Sequence, residues 1–198
     1  LGSVGGTLLG TPGLWLWRPD RLTPDVQATA RFVLPEGVTV SVPWPHTPGG
    51  AFRLGITAFQ QPSQVALGAL TRLVVDLPEV ATRLVIAVLE GPRAATDAGI
   101  ARWLEAAVLA QRGVFRRYPA DRLQVIVQPV SGGTVTFGRI YRGGGASAVL
   151  LLGDEVTDGA LPGEWVAVHE LFHHGLPPMT DAAVWISEGV TQYYTEVL

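Results

Sequence analysis

The stretch Val168-His169-Glu170-Leu171-Phe172-His173-His174, close to the C-terminus, organises the interpretation of the whole chain. Residues four apart lie on one face of an α-helix, so the imidazoles of His169 and His173 are directed at a single point. Glu170 lies about 100° further around the helix, where its carboxylate can reach a water held by the two histidines through a metal. The spacing therefore predicts a metal-binding helix.

The pattern His-Glu-x-x-His is typical of helices in which two histidines bind zinc and the glutamate acts as general base. A catalytic zinc site needs a third protein ligand and one open position for water, whose pKa the metal lowers. Glu188 is the candidate third ligand. The predicted set is therefore Zn²⁺ held by His169, His173 and Glu188, with Glu170 passing the proton to the leaving amine. The alternative is a chance match on an amphipathic helix.

Two predicted helices carry these residues. The first runs from residue 164 to 174 and is ended by Gly175 and Pro177-Pro178. The second begins near Thr180, a plausible N-cap, and continues through residue 193. Because the connection is short, the two helices form a hairpin, which brings Glu188 back beside the first helix.

The remainder of the chain predicts an α+β fold with a β-rich first part. A loose lead-in at residues 1–13 precedes β-like runs separated by proline and glycine turns, at residues 28–34, 38–42, 52–59, 65–75 and 82–90. A helix at residues 96–117 is followed by strands at 123–130, 134–141 and 147–152. The change of pattern near residues 91–95 divides the chain into a β-rich region, 1–91, and a mixed α/β metal-binding subdomain, 92–198.

Composition excludes several classes of function. The 198 residues are 47% hydrophobic and 16% charged, with a net charge of −3 and no basic cluster, so neither nucleic acid nor an anionic membrane surface is an expected partner. Without cysteine, a zinc site must use histidine and carboxylate ligands. No run approaches the roughly 18 apolar residues of a transmembrane helix. We expect a bacterial periplasmic or other extracytoplasmic location. The sequence leaves the oligomeric state open.

The ends of the sequence favour a piece of a longer protein. The chain starts at Leu1 without methionine and stops at Leu198 inside a predicted helix. We therefore expect a fragment or a processed domain.

His-Glu-Leu-Phe-His at 169–173, followed by Trp-Ile-Ser-Glu-Gly-Val-Thr-Gln-Tyr-Tyr at 185–194, resembles the gluzincin metallopeptidases. The resemblance is greatest to the glycyl aminopeptidase group, with aminopeptidase N and thermolysin more distant. It implies a thermolysin-like zincin catalytic subdomain, a mixed sheet plus zinc-binding helices, that hydrolyses peptide or protein substrates. It also implies zinc bound by His169, His173 and Glu188, Glu170 as base and acid, and Thr191 hydrogen-bonded to a ligand.

The resemblance extends upstream to a substrate-binding edge strand. Phe137, Gly138 and Arg139 lie in the best candidate, and their backbone would hold an extended peptide by β-augmentation. The family usually adds a helical subdomain that supplies a tyrosine or histidine to the oxyanion, and we expect that subdomain to be missing from this sequence. The implied reaction is zinc-dependent peptide hydrolysis, with an exopeptidase acting at the N-terminus favoured. The alternative is a non-catalytic metal-binding or scaffold module.

Other candidate residues have simpler interpretations. His174 is expected to cap the C-terminus of the first helix as a cation, with a substrate contact as the alternative. His46 is expected in a surface turn. Tyr193 and Tyr194 are expected to pack between helices rather than to act in catalysis. The glycines at 143–145 are expected to form a flexible turn at the edge of the cleft.

Overall fold

The computed structural model describes residues 2–4, 6–18 and 20–198, and this part of the chain mixes helices and strands, as predicted. Leu1, with the start of the predicted lead-in, lies outside the described residues, as do Gly5 and Pro19. The strands are β1 Gly2–Val4, β2 Thr7–Gly10, β3 Gln27–Ala30, β4 Thr39–Ser41, β5 Phe52–Gly55, β6 Val65–Gly68, β7 Leu70–Leu77, β8 Thr82–Leu89, β9 Arg122–Val130, β10 Val135–Tyr141 and β11 Ala146–Gly153. The helices are α1 Thr57–Gln60, α2 Asp97–Ala110, α3 Arg112–Phe115, α4 Val166–Phe172 and α5 Val184–Val197.

A five-stranded sheet in the order β10-β11-β9-β8-β7 forms the centre of the fold. Strands β7 and β8 pair in the antiparallel direction, whereas β8 with β9 and β9 with β11 pair in parallel. β10 pairs with β11 in the antiparallel direction and forms one edge. Strand β8 is apolar almost throughout because both of its faces are covered, as the sequence predicted.

Helices cover one face of the central sheet. Leu84 and Ile86 of β8 share a core with α2 and α4, to which Leu104 and Leu171 belong. Helix α2 begins where the Thr96 hydroxyl accepts a hydrogen bond from the backbone N–H of Gly99 at 3.0 Å, which satisfies one of the unpaired donors of the first turn. The helices are thus held to the sheet by burial of alternate strand residues.

The smaller sheets lie in the first part of the chain. The four-stranded sheet has the order β1-β2-β6-β4, and Ala66 of β6 packs with Ala87 and Ile126 on the second face of the central sheet. Strands β3 and β5 form a separate pair beside a cluster that contains Trp44 and Phe52. The four-stranded sheet therefore packs against the side of the central sheet opposite to α2 and α4.

Several local predictions were wrong. The end of the predicted strand at 52–59 lies in α1, because a short apolar run does not distinguish the period of a strand from that of a helix, and the strand ends at Gly55. The run 65–75 is two strands, divided after Gly68, whose φ of 147° is strained for any other residue. The lead-in at 1–13 contains β1 and β2 rather than a loose segment.

The central sheet crosses the predicted domain boundary. Strands β7 and β8 precede residue 91, yet β8 pairs in parallel with β9, which follows it. The division into regions 1–91 and 92–198 stays a prediction.

The glycines at 143–145 form a packed junction rather than a flexible turn. Gly144 has a φ of 77° and lies against Trp44, and a Cβ at Gly145 would overlap the carbonyl of Pro43. The close approach of two backbones requires residues without side chains here.

Among the described helices, none combines the length and the apolar character needed to cross a bilayer.

Candidate metal centre and substrate cleft

Helices α4 and α5 position the predicted metal ligands. Leu171 and Ala167 of α4 are buried in the core under the sheet, which turns the other face of the helix towards the cleft. Phe172 stacks on Tyr194 of α5 with ring centroids 4.9 Å apart. The predicted helix to residue 174 ends in a 3₁₀ turn, His173–Gly175, and the imidazoles of His169 and His173 still lie 5.1 Å apart.

The side chains of His169, His173 and Glu188 converge on one point. Their ligand atoms all lie within 4.8 Å of one another. Oε2 of Glu188 is 3.3 Å from Nε2 of His169 and 3.5 Å from Nε2 of His173. The short connection between the helices therefore brings Glu188 to the two histidines. Two imidazole nitrogens and one carboxylate that face each other fit the donor set of a three-ligand zinc site.

A line of hydroxyl groups on α5 contacts the other nitrogens of the two imidazoles. Nδ1 of His173 lies 3.1 Å from the hydroxyl of Ser187 and 3.3 Å from that of Thr191. Nδ1 of His169 lies 3.4 Å from the hydroxyl of Thr195. When each Nδ1–H donates to a hydroxyl oxygen, the lone pair of Nε2 is left for a metal.

The contact of Thr191 agrees with its predicted place beside a ligand, whereas Ser187 and Thr195 were missed. Both lie four residues from Thr191 along the same face of α5. The spacing of four residues in the sequence could therefore have predicted that the three hydroxyl groups lie on the same side of α5. The roles of all these residues in metal binding stay predictions.

Glu170 lies beside the three-residue cluster and against the edge strand. Burial, and secondly the carboxylate of Glu188, raise the pKa of Glu170 to about 7, while Arg139 and the backbone N–H of Ile140 oppose that shift. A Cβ at Gly138 would overlap the side chain of Glu170, so glycine allows this close approach. A carboxyl group with a pKa near neutrality can both accept and return a proton.

Burial also affects the second histidine of the three-residue cluster. It lowers the pKa of His173, although the carboxylate of Glu188 acts in the opposite direction. A lowered pKa keeps the imidazole neutral near pH 7, which is the form that binds a metal.

An open cleft separates β10 from the start of α5. Its volume is about 550 Å³, and it is lined by Phe137, Gly138, Arg139, Ile140, Arg142, Glu170, His173, Pro177, Pro178, Met179, Val184, Ser187 and Glu188. The three residues predicted to contact substrate all belong to this lining. Because β10 is an edge strand, its outer backbone groups are available to pair with an extended peptide, as β-augmentation requires.

The turn after α4 is capped by an arginine that the sequence reasoning missed. The guanidinium of Arg142 donates hydrogen bonds to the carbonyl oxygens of His173 at 2.5 Å, His174 at 3.3 Å and Leu176 at 3.0 Å. The carbonyl of His173 also accepts a hydrogen bond from the backbone N–H of Leu176, and a cation is favoured beside the C-terminus of a helix. Arg142 therefore holds the backbone between the predicted ligands.

The predicted cationic cap at His174 was wrong. Its side chain is buried, with Nδ1 2.7 Å from the hydroxyl of Tyr118 and Nε2 3.4 Å from the carbonyl of Tyr141. Burial, assisted by the charge of Arg142, lowers the pKa of His174 to about 4. The imidazole of His174 is neutral at pH 7, and the cation beside the end of the helix is Arg142 instead of His174.

The remaining candidates lie outside the cluster. His46 is exposed, as predicted, with its ring 4.4 Å from that of Phe52. Tyr194 packs on Phe172, as predicted, whereas Tyr193 is 62% exposed.

Comparison with known proteins identifies the fold. No protein-family model matches the sequence, and no curated protein matches it. The crystal structure of an aminopeptidase N family protein from Idiomarina loihiensis superposes with a TM-score of 0.61 at 18% identity, over 87% of this chain. The two proteins share a fold.

The match covers 34% of the Idiomarina chain, so this chain spans about a third of that protein. An M1 zinc metallopeptidase from Deinococcus radiodurans also matches, with a TM-score of 0.46 and 17% identity over 85% of this chain and 38% of that one. The mixed α and β class predicted from the sequence is confirmed.

Proposed function

We propose that this chain carries the metal centre of a zinc-dependent peptidase with a thermolysin-like catalytic subdomain. The observation that supports the proposal is the convergence of His169, His173 and Glu188 within 4.8 Å, beside Glu170. The fold shared with a protein described as aminopeptidase N family is in agreement with it. His169, His173 and Glu188 would hold the metal.

Each group around the cluster has a distinct chemical task in this proposal. Zinc, when bound, supplies a Lewis acid and lowers the pKa of water. Glu170 accepts a proton from the attacking water and returns it to the leaving amine, which its raised pKa allows. The hydroxyls of Ser187, Thr191 and Thr195 keep the imidazoles in one orientation. The backbone of β10 aligns the extended peptide.

The second candidate function is a non-catalytic metal-binding or scaffold module. One observation favours it: the described lining of the cleft contains no tyrosine, and no histidine besides His173, to stabilise an oxyanion. The resemblance in the sequence favours removal of residues from the N-terminus of peptides.

Replacing Glu170 by glutamine tests the proposed function. Zinc content and hydrolysis of a mixed peptide pool are measured for this chain and for the product of the complete gene. In the active protein, Glu170→Gln is expected to retain one zinc and to lower the rate about 10²- to 10⁴-fold, since proton transfer is lost while the ligands remain.

Two further variants complete the experiment. Glu188→Gln is expected to lose zinc, and Glu36→Gln, at an exposed site remote in sequence, is expected to behave as wild type. If both wild-type proteins bind zinc and neither hydrolyses peptides, the result supports the scaffold function. Absence of zinc from both contradicts the peptidase and the metal-scaffold proposals together.

A further inference from the structure

The cleft beside β10 contains four charged side chains, and three of them are already engaged. Glu188 faces the two imidazoles, and Glu170 lies between the cluster and the edge strand. Arg142 donates to three carbonyl oxygens. Arg139 is exposed and forms no ion pair within the part of the chain that the structure describes. The charge that remains for a substrate is therefore positive.

This balance of charge disfavours a free peptide N-terminus. An α-ammonium group needs a carboxylate that has no other task, and the described lining offers only Glu170 and Glu188. In the proposed function, Glu170 transfers a proton and Glu188 binds the metal, so neither carboxylate is available to an ammonium group.

The edge strand places Arg139 on the opposite face of the strand from Gly138. Successive side chains of a strand alternate, so Phe137 and Arg139 share one face, while Gly138 faces Glu170. Phe137 is 51% exposed, and the guanidinium of Arg139 lies 5.7 Å from the centroid of the Tyr141 ring. The side chains of Phe137 and Arg139 therefore lie on the same face of β10, and each is next in sequence to Gly138, which contacts Glu170.

We propose that the substrates are peptides with an aspartate or glutamate beside the scissile bond, paired with Arg139, and an apolar residue two positions away, paired with Phe137. This inference rests on the proposed function. A peptide added to β10 presents side chains directly opposite those of the strand, where opposite charges attract and apolar groups pack. The acidic residue lies close to the scissile bond because Arg139 adjoins Gly138, the residue in contact with Glu170. The peptide needs no free N-terminus.

Internally quenched peptides with a central glutamate, glutamine or lysine and a phenylalanine two residues away test the proposal on the zinc-loaded chain. With acetylated N-termini, the glutamate peptide is expected to have a kcat/KM about fivefold above that of the glutamine peptide, the size of a partly exposed ion pair. The lysine peptide is expected to be the poorest. Arg139→Gln is expected to remove the difference between the glutamate and glutamine peptides, and Arg139→Glu to make the lysine peptide the best.

A matched control separates the local charge from the total charge. Arg53→Glu, at an exposed position of strand β5, changes the net charge of the protein by the same amount as Arg139→Glu. It is expected to keep the wild-type order of substrates. Faster cleavage of peptides with a free N-terminus than of their acetylated forms would overturn the proposal. An unchanged order of the three peptides in Arg139→Glu would also overturn it.

Binding measurements keep this proposal distinct from the proposed function. The same three peptides, labelled at the C-terminus with a dye, are titrated with the zinc-loaded Glu170→Gln variant and followed by fluorescence anisotropy. If neither the wild-type chain nor the product of the complete gene cleaves any peptide, the proposed function fails, while tighter binding of the glutamate peptide that depends on Arg139 still supports the substrate class. Equal binding of the three peptides contradicts the substrate class whether or not cleavage occurs.

Discussion

At the scale of single residues, His173 is held by two hydroxyl groups rather than one. Nδ1 of His173 contacts both Ser187 and Thr191, whereas among the described residues Nδ1 of His169 contacts the hydroxyl of Thr195 alone. Hydroxyl partners orient an imidazole but, being neutral, do not raise its basicity as a carboxylate partner would. The affinity of the site for zinc should therefore depend on these three side chains.

Removing the hydroxyl groups of Ser187 and Thr191, which contact His173, tests that dependence. We expect Ser187→Ala and Thr191→Val each to weaken zinc binding by less than about tenfold, because the other hydroxyl remains, and the double variant to weaken it about 10- to 100-fold. Competition with a chromophoric chelator measures the affinity. Gln192→Ala, on the exposed face of α5, is the control. Wild-type affinity in the double variant would contradict the role of the hydroxyls.

At the scale of elements, the end of α4 depends on a side chain from the strand across the cleft. Arg142 follows β10 and donates to three carbonyls of the turn that connects α4 to α5. Burial lowers the pKa of its guanidinium, which nonetheless stays cationic. The turn sets the position of α5, and through it the distance from Glu188 to the histidines.

Replacing Arg142 by methionine keeps most of the side-chain volume and removes the donors. We expect the free energy of unfolding of the metal-free chain to fall by about 2 kcal/mol, because three partly buried carbonyls lose a charged hydrogen-bond donor. Zinc affinity should fall as well. Urea unfolding and chelator competition measure the two effects, with the exposed Arg112→Met as control. If Arg142→Met and Arg112→Met unfold at the same urea concentration, the cap contributes nothing.

At the scale of the whole molecule, the β-rich region meets the central sheet at the glycines before β11. A Cβ at Gly145 would overlap the carbonyl of Pro43, and one at Gly143 would overlap that of Gln61. The side chain of Gln124 in β9 also donates to the hydroxyl of Ser41 at 2.9 Å within this interface. The predicted boundary at residues 91–95 separates segments that share this packing.

Gly145→Ala should therefore destabilise the whole described fold and not just a turn. We expect a loss of about 1–3 kcal/mol, the usual cost of inserting a methyl group into a closely packed site. Gly163→Ala is the matched control, since no atom lies within 4 Å of its added Cβ, and it should stay within about 0.5 kcal/mol of wild type. Equal urea midpoints for the two variants would show that a methyl group at residue 145 is accommodated without loss of stability.

The sequence alone determined the features that depend on local periodicity. The spacing of His169 and His173, the glycine and prolines that end their helix, and the apolar strand β8 are properties of short segments, and the structure agrees with them. Glu188 could be predicted because a short connection leaves a helical hairpin few alternatives. The edge position of β10 came from the resemblance, and the sheet order agrees with it.

Only the tertiary structure decided the features that depend on burial and on contacts between distant segments. Arg142 lies 31 residues before His173 in sequence, so no local pattern connects the cap with its turn. His174 is neutral because it is buried between Tyr118 and Tyr141, and burial is set by the packing of the complete chain. Likewise, only the tertiary structure shows that Arg139 lines the same cleft as Glu170 and Glu188 and forms no ion pair with a described residue.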